Sequence, residues 1–381
     1  MVRAGRSDRV VETSWGLEIT IADPLCLYGD VEEGIYQYTS RRRPSRLRRL
    51  IAYLLLVPDP TIIWARRAAH HPLVLKHAGN SSWVLSSNPP ESSHVGSYLL
   101  ANRLRSRLII DMRDGWLDEP LQPMLKEFSL QRWRQGRLER RTLQSADHVL
   151  VTSPVWKELL EKRLPFTKGK ITVLYNACPL AYGDNRVWPV ASRNSARLDL
   201  VHAGRFTGSR NTRRPKFLLE VLLAGVRSTG SKGKVTFIGS LEPRDIEELE
   251  FYREQFMAQG WEVLVEPAVS REELSLRLMA SDGLLLLTVA PPTIPLKFFD
   301  YLAARKPVLA VTPRDGAVWQ GASALPQFFL VDSKQVCRDA ITINNFFHAC
   351  AAEKWPCEVP SEFTEEQLSQ RFLEILRCDK T

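Results

Sequence analysis

The chain has 381 residues, 44% of them apolar and 25% charged, a composition that excludes a disordered, fibrous or low-complexity protein. This length exceeds the roughly 250 to 300 residues at which a single core stops growing, so two domains are expected. A formal net charge of +9 favours anionic partners: nucleic acid, a phospholipid surface or a phosphorylated substrate.

Residues 1–16 (MVRAGRSDRVVETSWG) read as neither a strand nor a glycine-rich loop, nor as a secretory leader. Six arginines crowd into the nine residues Arg41 to Arg49 (RRRPSRLRR), beside the apolar run Leu50 to Val57. That run is far short of the ~20 residues that span a bilayer, so no transmembrane helix is expected. The basic segment is either a surface for an anionic membrane or a solvated basic face.

Short apolar runs then read as buried strands at Trp83 to Ser86, Arg107 to Asp111, His148 to Thr152 and Ile171 to Tyr175. Helix-length stretches, Ser93 to Arg103 and Leu121 to Ser145, separate them. Apolar runs without period-two alternation are what a parallel sheet covered on both faces requires.

Residues 181–196, rich in Asn, Arg, Pro, Gly and Ser, read as a linker between a first domain, 1–180, and a second, 197–358. In the second domain strands are expected at Leu198 to Ala203, Lys234 to Gly239, Glu262 to Glu266, Gly283 to Thr288 and Pro307 to Val311. Helices are expected at Pro215 to Ser228, Arg244 to Gln259, Arg271 to Ala280 and Leu296 to Ala304. Ser270 with Glu273 reads as a capping box. Residues 359–381 read as a closing amphipathic helix. The six cysteines fall in no metal-ligand spacing, His348 and Cys350 lack a second ligand pair, and a reducing cytoplasm fits; no metal is expected.

Two segments carry chemistry. Ala203-Gly204-Arg205-Phe206-Thr207-Gly208-Ser209-Arg210 follows a strand and precedes a helix. Glycines there let backbone N–H groups approach an anion, and arginine forks suit a diphosphate. The alternative is a surface turn with two solvated arginines. Pro295-Leu296-Lys297-Phe298-Phe299-Asp300 opens a helix after the strand GLLLLT. Lys297 and Asp300, three apart, share a helical face and suit the phosphates and ribose of a nucleotide; the alternative is a surface ion pair.

The stretch IPLKFFDYLAARKPVLAV resembles the donor-binding segment of GT-B glycosyltransferases of the large retaining group, which reads "EYLAAGKPVLA". HAGRFTGSR resembles that group's "GR…K" loop, with Arg210 at the lysine position. SSNPPESSH, IIDMRDGW, ADHVLVTSPVWKELL and KITVLYNACP resemble further segments, in order, over roughly Leu54 to Leu376.

This resemblance implies the GT-B fold, two doubly wound Rossmann-like α/β domains facing a cleft. It implies a retaining transfer of a hexose from a UDP- or GDP-sugar to a saccharide or lipid-linked acceptor, in cell-surface polysaccharide assembly, with no cofactor or metal. Arg205, Arg210 and Lys297 would stabilise the leaving diphosphate; Gly204, Pro295, Leu296 and Asp300 complete the donor site. Asn88, Glu91, His94, Arg113 and Asp114 fall on the acceptor side, Arg113 with Asp114 being alternatively a structural salt bridge. The resembling proteins begin with a strand and a glycine-rich loop and carry a glutamate where Pro292 stands. A non-catalytic nucleotide-sugar-binding protein and a nucleotide-sugar epimerase remain alternatives. No nucleic-acid recognition module is visible.

Overall fold

The computed structural model describes residues 1–24, 55–118, 129–179, 197–206, 215–290, 292–335, 339–352 and 358–377. The arginine-rich stretch 41–49, the 181–196 linker and Arg210 lie outside the described residues. The chain divides into two compact units, Met1–Val151 with Lys157–Val173, and Thr152–Trp156 with Leu174–Thr381. The division after Val173 comes slightly ahead of the expected boundary, and the C-terminal helix belongs to the second unit.

The first unit opens with three strands, β1 (Val2–Gly5), β2 (Arg9–Thr13) and β3 (Gly16–Ala22), in a sheet of order β1-β3-β2. Residues 1–16, read as strandless, therefore hold two strands. Their side chains are mostly exposed or half-buried, so charged residues alternate through them and no continuous apolar run betrays them. The backbone ladder to β3 supplies the hydrogen bonds.

Helices α1 (Ile62–His70) and α2 (Pro72–Ala78) follow, and Trp64 Nε1 donates to Ile21 O at 3.0 Å, tying α1 to β3. A parallel sheet, β4 (Trp83–Ser87), β5 (Arg107–Met112), β6 (His148–Val151) and β7 (Ile171–Val173), runs in chain order. Its connecting helices are α3 (Ser92–Leu104), α4 (Ser129–Ser145) and α5 (Pro154–Arg163). An ionic triad, buried at Glu139 and half-buried at Arg163 and Asp118, braces the unit. Arg163 holds the buried Glu139 through two bonds of 2.6 and 2.8 Å and Asp118 at 2.6 Å. Burial pushes the Glu139 carboxyl up, opposed by Arg163.

The second unit alternates β8 (Arg197–Ala203), α6 (Pro215–Thr229), β9 (Lys232–Ile238), α7 (Pro243–Met257), β10 (Trp261–Glu266) and α8 (Arg271–Ala280). It continues through β11 (Gly283–Leu287), α9 (Leu296–Ala304), β12 (Val308–Thr312), α10 (Ala317–Ala322), β13 (Phe328–Asp332), α11 (Ala340–Ala351) and α12 (Glu365–Arg377). All six strands are parallel, in the order β10-β9-β8-β11-β12-β13. Counted within the unit this is 3-2-1-4-5-6, the Rossmann order, with its switch point between β8 and β11.

The strands here are apolar throughout because the sheet has a core on each face. Leu285, Leu287, Leu309 and Val311 pack on α6 and α11. Leu284, Leu286, Val308 and Ala310 pack on Phe298, Phe299, Tyr301 and Leu302 of α9. At the start of α8 the Ser270 hydroxyl accepts from Glu273 N–H, but the Glu273 carboxylate turns forward to Arg277 at 2.7 Å. A reciprocal capping box stands instead at α7, between Glu242 and Asp245.

Candidate functional site

In an open parallel sheet a ligand meets the carboxyl ends of the strands at the switch point. The second unit places two of the sequence-selected segments there, because Gly204 directly follows β8 and the loop to Lys297 follows β11. Gly204 has φ +85°, and a Cβ at that position would lie 3.5 Å from Lys297 Nζ. The lysine head therefore sits against bare backbone. Gly239, after β9, leans on the same turn: a Cβ there would come within 3.1 to 3.2 Å of Gly204 Cα, C and O. Two adjacent strand ends are thus cleared of side chains, the condition for close approach of a phosphate.

Beneath the lysine lies His202, a residue that sequence reasoning passed over. It is fully buried, its Nδ1 lies 2.8 Å from Leu285 O, and its Nε2 lies 3.4 Å from Lys297 Nζ. Phe206 stacks on its ring at 4.1 Å. Burial, then the Lys297 charge, hold the imidazole well below its usual range, so it is neutral at pH 7. Neutral, with Nδ1–H given to Leu285 O, it presents an Nε2 lone pair to the ammonium. The only clue in the sequence was a polar residue inside the buried strand LDLVHA.

The start of α9 is fixed from within. Pro295 is the extended N-cap residue, ψ 150°, and Phe298, Phe299, Tyr301 and Leu302 are buried. The Tyr301 hydroxyl accepts from Ala203 N–H at 2.8 Å, which ties the helix to the end of β8. Ser153 Oγ donates to Pro292 O at 2.8 Å and accepts from Trp156 N–H at 3.1 Å, bracing the loop ahead of α9. Arg205 is exposed, and the Leu296 side chain is 67% exposed, leaving both open to a ligand.

Lys297 and Asp300 do not form the surface ion pair held open as the alternative. They take different partners: Lys297 turns to His202, whereas Asp300 lies 3.5 Å from Arg271 Nη2. Burial raises the Asp300 carboxyl, opposed by Arg271. The neighbouring Cys178 thiol is pushed up to about 12 by burial and by Asp300.

The residues expected on the acceptor side sit at the carboxyl ends of β4 and β5, but most of them face inward. Asn88 is buried and staples the loop after β5, accepting from Arg113 N–H at 2.9 Å and donating to Asp114 O at 3.0 Å. Glu91 is buried at the head of α3. His94 is wholly buried, its Nδ1 is 2.8 Å from Ser86 Oγ, and burial holds its pKa at about 3. Arg113 bonds Asp111 Oδ2 at 2.8 Å, so its ion pair is with the strand-end Asp111 and not with Asp114. Asp114 is partly exposed, and burial raises its carboxyl. Arg113 and Asp114 are thus the two of the five that reach the surface, and Asn88 positions them. Trp116 Nε1 to Gln135 at 3.0 Å and Arg163 to Asp118 at 2.6 Å hold the rest of that loop.

Among the described residues no group of three or more His, Cys, Asp or Glu side chains gathers as a metal-ligand set. Cys350, near His348, is a packing residue. A Cβ on Gly283 would fall 2.4 Å from its Sγ.

Comparison with known proteins supports the same architecture. Residues 30–177 match the family described as "Glycosyl transferase 4-like domain". A search of curated proteins returned no match. Among solved structures, the chain is similar to sucrose-phosphate synthase of Thermosynechococcus elongatus, with 15% identity and a TM-score of 0.55 over 98% of this chain and 86% of that one. It is also similar to an α,α-trehalose-phosphate synthase (UDP-forming) of Burkholderia xenovorans solved with glucose-6-phosphate, with 12% identity and a TM-score of 0.54 over 97% and 89% of the two chains. HepE of Anabaena, solved with UDP, gives 14% identity and a TM-score of 0.52 over 80% and 81%. The fold is GT-B, with two Rossmann-like domains.

Proposed function

We propose that the chain is a glycosyltransferase that moves a hexose from a UDP- or GDP-sugar to a saccharide or lipid-linked acceptor, retaining the anomeric configuration. The observation that carries this reading is the placing of Lys297 Nζ beside the side-chain-free turn at Gly204, at the switch point of a sheet in Rossmann order. A cation over strand ends bare of side chains leaves room for a diphosphate at the switch point, the Gly204 and Gly239 N–H groups being themselves given to Ile238 O and Glu266 O. The similarity of the fold to HepE, solved with UDP, and to a UDP-forming synthase supports a nucleotide as the ligand.

The chemistry follows from charge. As the glycosidic bond of the donor breaks, the departing diphosphate gains negative charge, so a fixed cation stabilises the transition state more than the bound substrate. Lys297 supplies that cation, Arg205 the adjacent one, and Arg210 a third; no metal is required. Asp300 takes the ribose hydroxyls, with Pro295 and Leu296 bordering the nucleotide. Arg113 and Asp114 meet the acceptor in the first unit, in the cytoplasm, in the assembly of a cell-surface polysaccharide.

The test is a screen of UDP- and GDP-sugars for release of the nucleoside diphosphate. One donor is expected to be consumed, with Lys297→Ala cutting turnover by well over tenfold while the circular dichroism spectrum stays unchanged. Undiminished turnover in that variant, or binding without any release, contradicts the proposal.

A further inference from the structure

One face of the first unit has no part in the site described above. Along α4, Leu130, Trp133, Arg134, Arg137, Arg140, Arg141 and Gln144 recur at steps of one, three or four, the spacing of a single helical face. The opposite face, with Gln131, Gln135, Glu139 and Thr142, is buried. The outer face and α1 together line an open groove of about 680 Å³, to which α1 adds Ile62, Ile63 and Arg66 and the segment before it adds Leu55 and Val57.

Two properties of this groove point to one kind of partner. Five arginines line it and no carboxylate does. Among the described residues none of Arg66, Arg137, Arg140 and Arg141 forms an ion pair with a carboxylate. The three on α4 lie instead against rings: Arg137 over Trp133 at 5.2 Å, Arg140 over Phe166 at 5.6 Å, and Arg141 against Tyr98, bonded to its hydroxyl at 2.8 Å. Large apolar side chains stand out beside them, with Leu55 69%, Leu130 63% and Trp133 58% exposed. A nucleic acid would use the arginines and stack on Trp133 but leave Leu55 and Leu130 in water, as would a hydrophilic acidic peptide. An anionic bilayer uses both, phosphates for the guanidinium forks and headgroup depth for the indole and leucines.

We propose that the α1–α4 face docks on the surface of an anionic phospholipid membrane, with Arg137 and Arg140 on lipid phosphates and Trp133, Leu130 and Leu55 entering the headgroup layer. Among the described residues no helix is long and apolar enough to cross a membrane. The docking is independent of the glycosyl-transfer reading, since none of these residues belongs to the donor or acceptor groups.

The full chain is sedimented with vesicles of phosphatidylglycerol and phosphatidylcholine in equal parts, and with vesicles of phosphatidylcholine alone. Expected are binding to the anionic vesicles only, release at about 0.5 M salt, and affinity about thirtyfold weaker in the doubly substituted Arg137→Ala, Arg140→Ala chain. Trp133→Ala, at an exposed position, tests the same face should the double variant fail to fold, and is expected to weaken binding several-fold. Wild-type affinity in either folded variant overturns the proposal. So does equal binding to neutral vesicles, absence of vesicle binding, or arginine-dependent binding of a single-stranded oligonucleotide without vesicle binding.

Discussion

At the scale of single residues, the site turns on the company Lys297 keeps. A lysine at the mouth of a strand is ordinarily mobile, and holding it in one geometry costs side-chain entropy. Here the neutral His202 lies under it at 3.4 Å and is itself locked by Leu285 O and the Phe206 ring. A hydrogen bond to a charged group contributes more than one between neutral groups. His202→Ala is therefore expected to raise the donor KM by about tenfold. Steady-state kinetics with the donor found in the screen checks this, and an unaltered KM would remove His202 from the account. In the sequence Lys297 and Gly204 were legible because each opened or closed a periodic segment. His202 was not, because a buried histidine leaves no periodic or spacing signature. For Arg113 and Asp114 the alternative of a strand-end salt bridge takes another form, since successive residues there diverge and Arg113 pairs with Asp111.

At the scale of elements, the buried strands of both parallel sheets were legible as apolar runs, since a sheet packed on both faces permits little else, except for β13, which lies at the sheet edge and is half-buried at Phe329 and Leu330. The hairpin β2–β3 and the strand β1 were not, because half-exposed strands carry charges. The short α10 was hidden for want of a full amphipathic period. Two helices end on a strained residue, α3 at Arg105 with φ 56° and α9 at Arg305. Helix α9 ends at Arg305 in the left-handed conformation, φ 55°, where the resembling segment of the retaining glycosyltransferases has glycine. A side chain there costs on the order of 1 kcal/mol, partly offset by the lower chain entropy of a non-glycine residue. Arg305→Gly is expected to stabilise the second unit by about 0.5 kcal/mol or slightly more, read as a higher urea midpoint. A lower midpoint would show that the arginine side chain makes a contact that outweighs the strain.

At the scale of the whole molecule, each unit carries a buried histidine that must stay neutral, His94 in the first and His202 in the second. The sign for His94 is fixed by its value of about 3 in the folded chain against about 6.5 unfolded. Above pH 6.5 neither state is charged. Between pH 6.5 and 3 the unfolded chain binds a proton that the folded chain does not, so stability falls as pH falls, on the order of 5 kcal/mol across the full range. The raised carboxyls Asp114, Glu139 and Asp300 act in the opposite sense, so the difference between wild type and His94→Gln isolates the histidine. Urea midpoints of the two chains are expected to converge as the pH is lowered from 7 to 5. Parallel pH dependence would contradict a neutral buried His94.

The claim that the switch point of the second unit holds a nucleoside diphosphate is tested most directly by calorimetric titration of UDP and of GDP into the wild-type chain and Lys297→Ala. Saturable binding of one nucleotide to the wild type is expected, with an affinity at least tenfold weaker in the variant. Equal affinity in the two chains, or no binding of either nucleotide to the wild type, would contradict it.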